Sequence, residues 1–533
     1  MKAKRLAIWA LVLAIIPTIA TADAYDENNY PPTNASVMLT ETNLPIVFIN
    51  TKALDGNTTV IHKGYRVAVR MTIINNTDGK NYGDTLAHPN QNIDYDGWVG
   101  IKYRGKSSFD YAKKKPLGFR TLATSDVNGK KEKVKILGMP KDNDWVLLAP
   151  YHDRSMIRDV LTFELARPYF EFTPQARHCE LIMDNVYRGV YILCEKPGKG
   201  KNRLNLELPG DEGDDITGDF LLELDGNDDV NYYMSKYKAQ DKNGKDLSVN
   251  SNIYIQYRAP EYDDMMPDHP AQLDYINQRI SDMEDALNSQ DFANPQTGYR
   301  HYIDVSSFVN YMLTQEFTGN PDGYRRSTYL YKRRDAVDPR FKMCIWDFNM
   351  AYGNSLQSLL GDNRWQYINN SSIQVFRSNP VPFWWTRMME DAYYEDCLKR
   401  RWAEYRTTNY HEAHITQVID SLVNLLEAGG ARKRNEEAWP NWDESIFLDI
   451  NNTKNYTEEI ATLRSWITKH LRWLDKKLGF DPQSQPTSIT HHRHQDDESD
   501  ATFGWYDLQG RRVSGRPPKR GVYIHENKKV VIR

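Results

Sequence analysis

Two aspartates carry the clearest chemical signal in this sequence of 533 residues. Asp322 stands in the loop Asn320-Pro321-Asp322-Gly323, just after a helical run, and Asp347 closes an apolar strand that runs from Phe341 to Trp346. A carboxylate delivered at the end of an apolar strand is costly to bury alone, so it must find a partner or bind a metal. Each residue also has a plain structural use: Asp322 suits a turn before Gly323, and Asp347 suits a cap on the segment that follows. Their order favours chemistry. Helix, loop acid, β-hairpin and second acid form a layout suited to phosphoryl transfer, one acid orienting a hydroxyl and the other holding a metal on phosphate.

Protein kinases use this order, with an Asn five residues after the loop acid and Phe-Gly after the metal-binding acid. Here Ser327 stands five residues after Asp322, and Phe348-Asn349 follows Asp347. Asp347, Asn349 and Ser327 therefore offer a partial shell of oxygen donors, the chemistry that Mg2+ prefers alongside phosphates and water. Four earlier segments add to the pattern: Lys102-Tyr-Arg104-Gly105-Lys-Ser107-Ser108 with Lys113-Lys114-Lys115-Pro116, Tyr151-His-Asp153-Arg154-Ser155, and Gly189-Val-Tyr191-Ile-Leu-Cys-Glu195-Lys196. Taken in order, these motifs resemble the spore-coat protein H (CotH) kinase family over most of residues 43–390.

That resemblance implies an atypical protein-kinase-like, two-lobed α+β fold, ATP and Mg2+ or Mn2+ as cofactors, and transfer of phosphate to protein Ser or Thr. Many family members carry a second Asp where Asn349 stands and an Asn where Ser327 stands. By analogy Asp322 orients the acceptor hydroxyl and Asp347 holds the metal. Arg104, Gly105, Ser107 and Ser108 form a turn whose N–H groups and hydroxyls approach the phosphates. Lys114 or Lys115 contacts the α and β phosphates, unless the triple lysine is only a solvated face. Glu195 orients that lysine or holds metal, or else forms a salt bridge. Arg154, with Arg158, binds phosphate or pairs with Asp153 and Asp159.

The elements that must position these residues are legible as patterns. β-Branched and aromatic runs at Leu44–Ile49, Gly64–Ile74, Gly97–Tyr103, Leu117–Thr121 and Lys133–Leu137 predict an antiparallel sheet. A hairpin turning at Asp184-Asn185 places Cys179 opposite Val190, which argues against a disulfide to Cys194. Helical periodicity follows at Ser155–Tyr169, with Ser155 as cap, and at Ala271–Leu287, Val305–Thr318, Pro382–Thr407, Glu412–Leu426 and Tyr456–Leu478. The order is a β-rich first half and a helical second half. Trp384, Trp385 and Trp402 sit at helical spacing, which makes them core residues before sugar platforms.

Lys plus Arg number 68 against 72 Asp plus Glu, a formal charge of −4, so a nucleic-acid backbone is not an expected partner. Residues 1–24 read as a signal peptide, with a basic start, an apolar run too short to span a membrane, and Ala-x-Ala sites; no other apolar run predicts a stable span. The remaining plan is a linker at 25–42, the kinase-like domain at 43–480, a His- and Ser-containing linker at 481–500, and a β-rich module at 501–533. The module's Tyr506-Asp-Leu-Gln-Gly-Arg-Arg-Val513 and Gly521-Val-Tyr-Ile524 resemble C-terminal sorting domains read by type IX-like secretion machinery. The sequence thus predicts a secreted or cell-surface protein kinase acting on an exported protein. Its rival is a non-catalytic binder of protein or glycan on the same scaffold.

Overall fold

The computed structural model describes residues 33–226, 231–241, 243–248, 251–355, 363–368, 370, 379–444 and 453–482, and the backbone of four short strands near the C-terminus. The signal-peptide residues and nearly all of the 481–500 linker lie outside the described residues. The chain divides into two compact units after Phe480.

Seven strands of the first unit close into a barrel: β1 (Ile46–Asn50), β2 (Val67–Ile74), β3 (Ile93–Tyr103), β4 (Leu117–Leu122), β5 (Asp144–Leu148), β6 (Ala176–Met183) and β7 (Val186–Cys194), in the order β6-β7-β5-β4-β3-β2-β1. The expected antiparallel sheet is therefore closed, and the closing pair is parallel, Glu180 opposite Ile46 and Met183 opposite Ile49; the run expected at Lys133–Leu137 is not part of it, since Val134–Ile136 pairs with Met139–Asp142 in a separate two-stranded sheet. Closure removes both edges, which alternation along single strands does not disclose. Inward residues such as Val99, Ile101, Phe119, Trp145 and Tyr191 fill the barrel. In the β6–β7 hairpin Met183 pairs with Val186, but a register shift between Leu181 and Ile182 puts Cys179 opposite Tyr191 rather than Val190. All four cysteines are free thiols.

A second, five-stranded antiparallel sheet follows: β8 (Phe220–Leu224), β9 (Tyr232–Lys238), β10 (Asn252–Ala259), β11 (Thr328–Lys332) and β12 (Phe341–Cys344), ordered β9-β10-β8-β11-β12. Seven longer helices complete the unit: α1 (Arg158–Ala166), α2 (Pro270–Asn288), α3 (Val305–Thr318), α4 (Ala392–Thr407), α5 (Glu412–Ala428), α6 (Ala431–Ala438) and α7 (Tyr456–Leu478). The chain is thus mixed α+β, β-rich first and helical later. The expected helix at 155–169 starts at Arg158, because Ser155 hydrogen-bonds Asp153 instead of capping. The expected helix at 382–407 breaks, since Asp391 caps α4 by accepting from the Tyr393 N–H at 3.0 Å. Trp384, Trp385 and Trp402 are fully buried and serve as core.

One apolar cluster ties these layers together. The outward side chains Val146, Val190 and Ile192 of the barrel join α1, the second sheet and the helices in a continuous core. Helix α3 lies inside that core and delivers the loop after it. Asp304 caps its start by accepting from the Ser307 N–H at 2.9 Å, and Gly319 ends it at φ 56°. Trp466 of α7 packs where Cβ atoms at Gly319 and Gly353 would stand, 2.8 and 2.4 Å away, so neither position has room for a side chain.

Glu316 of α3 is fully buried and accepts hydrogen bonds from the Tyr324 hydroxyl (2.7 Å), the Gln366 N–H (2.8 Å) and the Tyr367 N–H (2.9 Å). Burial nonetheless outweighs these donors and pushes its carboxyl up to about 7. A folded-state value above the unfolded one stabilises at low pH, and that stabilisation is lost as pH rises from about 4.5 through 7. The thermal midpoint is therefore expected to fall between pH 5 and pH 8. Glu316→Gln should start lower at pH 5 and show a shallower fall, as measured by circular dichroism melts; an unchanged slope would clear Glu316 of this role.

Candidate active site

A cleft of about 1150 Å3 opens between the outer face of the barrel and the second sheet. Asp347 enters it three residues beyond β12. Its neighbours Trp346 and Phe348 are buried, both packed against Phe163 of α1 at 6.1 and 6.2 Å between ring centroids. With both flanking side chains turned into the core, Asp347 adopts the left-handed conformation, φ 63°, and points its carboxylate outward. Tyr324, Ser327 and Tyr352 also have positive φ (70°, 46° and 54°). Such conformations cost free energy and persist only where the surroundings dictate them.

Hydrogen bonds fix the acid from several sides. Ser327 Oγ donates to Asp347 Oδ2 at 3.3 Å, Asn349 Nδ2 donates to Oδ1 at 2.5 Å, and Asn320 Nδ2 donates to the Asp347 carbonyl at 3.1 Å. Asp159, in the first turn of α1, accepts the Phe348 N–H at 2.6 Å and lines the same cleft. Both carboxyls are held above the ordinary carboxylate range. For Asp347 burial is the main cause, followed by the charge of Asp322, while Arg104 and Ser327 oppose it. For Asp159 burial again leads, followed by the charge of Asp347. Asp322 thus raises the proton affinity of Asp347, and Asp347 that of Asp159, and such a group of acids forms a place where a cation is favourable.

Asp322 lies on the cleft lining beside them, its Oδ1 accepting from Arg325 Nη2 at 3.3 Å. Arg325 is buried and also binds the carbonyls of Pro321 (3.0 Å) and Asn379 (3.1 Å), which fixes the loop that carries the acid. The carboxylate oxygens of Asp347 and the Ser327 hydroxyl are oxygen ligands of the kind that fits Mg2+ or Mn2+, while Asn349 turns its Nδ2 towards Asp347. Among the described residues no group of three or more His, Cys, Asp or Glu could hold a metal, so phosphate oxygens and water would have to complete a shell.

Opposite the acids stands a cationic wall. Arg104, Gly105, Ser107 and Ser108 line the cleft together. Arg104 lies over the Trp346 ring at 5.5 Å, which links this turn directly to the Asp347 segment. Gly105 has φ +85° and no room for a Cβ, which would stand 2.1 Å from Ser108 Oγ. Lys106 reaches across the cleft to Asp225, Nζ to Oδ2 at 2.8 Å. Behind the turn lie Arg66, Lys102, Arg120 and Lys196. The Lys102 and Lys196 ammonium groups are held below the usual lysine range, by burial first and also by the neighbouring arginines.

Not every expected residue reaches the cleft. Lys114 and Lys115 are buried elsewhere: Lys114 donates to the Val190 carbonyl and to Asn435 Oδ1 (2.8 Å), and Lys115 donates to the Phe109 carbonyl. Burial lowers them to about 7 and about 8. Glu195 is buried in an ion pair with Arg203 at 2.6 Å. Arg154 binds the carbonyls of Asn441 and Glu444, and Arg158 is paired with Asp153 and Glu459. Sequence reasoning left Asp159 and the Arg66, Lys102, Arg120, Lys196 wall without site roles. Lys102 and Lys196 fall inside motifs already noted, whereas Arg66 and Arg120 carry no signal until strand register is known.

A protein with this arrangement can hold an anionic group, with its counter-cation, between a cationic sheet face and clustered carboxylates. The family model described as CotH kinase protein matches residues 101–474, and the chain belongs to that family. Its membership supports a kinase-type transferase. No curated protein matches the chain. Among the described residues no helix is long and apolar enough to cross a membrane.

Asp159→Ala leaves the buried Phe348 N–H without an acceptor, and an unmet buried donor costs about 1–3 kcal/mol. Denaturant titration of the variant should show a loss of that size; an unchanged midpoint would mean that Phe348 N–H finds another acceptor.

Proposed function

We propose that this protein is a secreted CotH-type protein kinase that transfers phosphate from ATP to Ser or Thr hydroxyls of an exported protein, using Mg2+ or Mn2+. The observation that carries the reading is the convergence of Asp322, Asp347, Ser327 and Asn349 opposite Arg104 and the cationic face behind it. In the kinase-like two-lobed reading of this fold, the barrel side receives the nucleotide and the Asp322 loop meets the acceptor. The C-terminal module serves delivery through type IX-like machinery and takes no part in the chemistry.

Asp347 would hold the metal, with the oxygens of Asn349 and Ser327 near it. A bound divalent ion supplies charge neutralisation on the phosphates. The protein does the rest by positioning. The Arg104–Ser108 turn offers N–H groups, hydroxyls and a guanidinium to phosphate oxygens. Asp322, held by Arg325, accepts a hydrogen bond from the acceptor hydroxyl and takes its proton as the oxygen attacks. Asn320 and Asp159 grip the two polar ends of the peptide bond between Asp347 and Phe348, so the carboxylate need not reorganise during transfer.

The test is incorporation of γ-labelled phosphate into Ser/Thr-rich acceptors by the purified protein with Mn2+ or Mg2+. Asp347→Ala is expected to lower incorporation by at least about a hundredfold, comparable with the loss of one key transition-state contact, while its ligand-free melt stays close to that of the parent. Undiminished labelling by the folded variant would remove this function.

A further inference from the structure

The cationic wall is larger than the turn that faces Asp347, and strand register explains its construction. In the antiparallel ladder Lys102 of β3 is opposite Gly118 of β4, Gly100 is opposite Arg120, and Arg120 is opposite Asp144 of β5. Opposed residues share a face, so Lys102, Arg120 and Asp144 stand together on the outside of the barrel, with two glycines leaving the surface low between them. Arg66 lays its side chain over that gap. Its Nη1 donates to the carbonyls of Gly100 (3.1 Å) and Gly118 (2.9 Å), and its Cδ lies 3.5 Å from where a Gly100 Cβ would be. Beyond Arg120, residues 130–132 extend the sheet alongside Thr121–Ala123, bringing exposed Lys131 and Lys133 to the cleft rim.

Cations outnumber acids on this face, where Asp144 and Glu261 are the carboxylates that act on them. Asp144 pairs with Arg66 at 3.4 Å and with Arg120 at 3.1 Å, and it is also the acid that favours the Lys196 charge. Lys102 and Arg104 make no ion pair within 4 Å among the described residues. The face crosses strands β3 to β5 at spacings of about 4.8 Å and runs from Arg104, beside Asp347, out to the rim. A strip of cations seated on this rigid sheet face, with Arg66 and Arg104 lying over the two glycines, suits a flexible linear anion that lays successive charges along it. A nucleotide places its charges at one end only and needs an apolar slot for its base.

We propose that this wall binds linear inorganic polyphosphate, and that the protein uses its terminal phosphoryl group as a donor in addition to that of ATP. The proposal rests on the phosphoryl-transfer reading above. In the step, the acceptor hydroxyl oxygen bonds to the terminal phosphorus and the bridging P–O bond of the anhydride breaks. The chain leaves one phosphate shorter, and the hydroxyl proton passes to Asp322. No oxidant or further reactant is needed.

The experiment uses the full chain with Mn2+ or Mg2+ and compares two donors, uniformly labelled polyphosphate and γ-labelled ATP, on the same acceptor. Labelling from polyphosphate that depends on Asp347 is expected. Polyphosphate should also raise the melting temperature without metal, an effect that shrinks steeply with added salt as counterions compete. The rim variant Lys131→Glu/Lys133→Glu should lower polyphosphate-supported labelling by about tenfold, equivalent to about 1.4 kcal/mol, and by a larger factor than it lowers labelling from ATP. Arg120→Ala serves the same comparison should the rim variant melt early. If ATP labels the acceptor while polyphosphate neither labels nor stabilises, this inference fails and the kinase reading stands. If neither donor labels, both fail.

Discussion

The candidate active site is organised by the burial of Trp346 and Phe348 on either side of Asp347. Two large aromatic side chains driven into the core against Phe163 leave the residue between them no inward direction, and the backbone turns left-handed to release its carboxylate into the cleft. Apolar burial worth about 1.5–3 kcal/mol per large side chain offsets the conformational cost. The same packing fixes the Phe348 N–H for Asp159 and sets the Trp346 ring under Arg104. One hydrophobic constraint thus aligns an acid, its supporting acid and a cation of the wall.

The barrel contributes through its outside. Its interior is filled by alternating apolar residues, and the candidate site lies on its outward positions. Part of that outer face, Val146, Val190 and Ile192, is covered by the helices and the second sheet. The adjoining part, Lys102 and Arg120, stays uncovered because its charges are costly to bury, and it becomes the wall of the cleft. The boundary between core and site therefore runs along single strands, two residues apart on β5.

Much of this was legible beforehand. The helices at Val305–Thr318 and Tyr456–Leu478 and the hairpin after Asp322 match their periodicities, since 3.6- and 2-residue repeats are local properties of the chain. The helix start at Arg158 was not legible, because Asp153, only two residues away, takes the Ser155 hydroxyl while it pairs with the buried Arg158. Lys114 and Lys115 read as solvated or phosphate-facing, yet both ammonium groups are turned inward onto backbone carbonyls. A run of like charges says nothing of which residues the following strand will bury.

The sequence by itself determined the alternation of strands, the two aspartates and their order, and the motifs that place the chain in its family; these are carried by residue type and by spacing along the backbone. Tertiary structure decided barrel closure through a parallel pair, the partnership of Asp159 with the Asp347 segment, and the meeting of Arg66, Lys102 and Arg120 on one face. Each joins residues distant in the chain through strand register or core packing, and register depends on bulges, closure and covered faces that no single segment encodes.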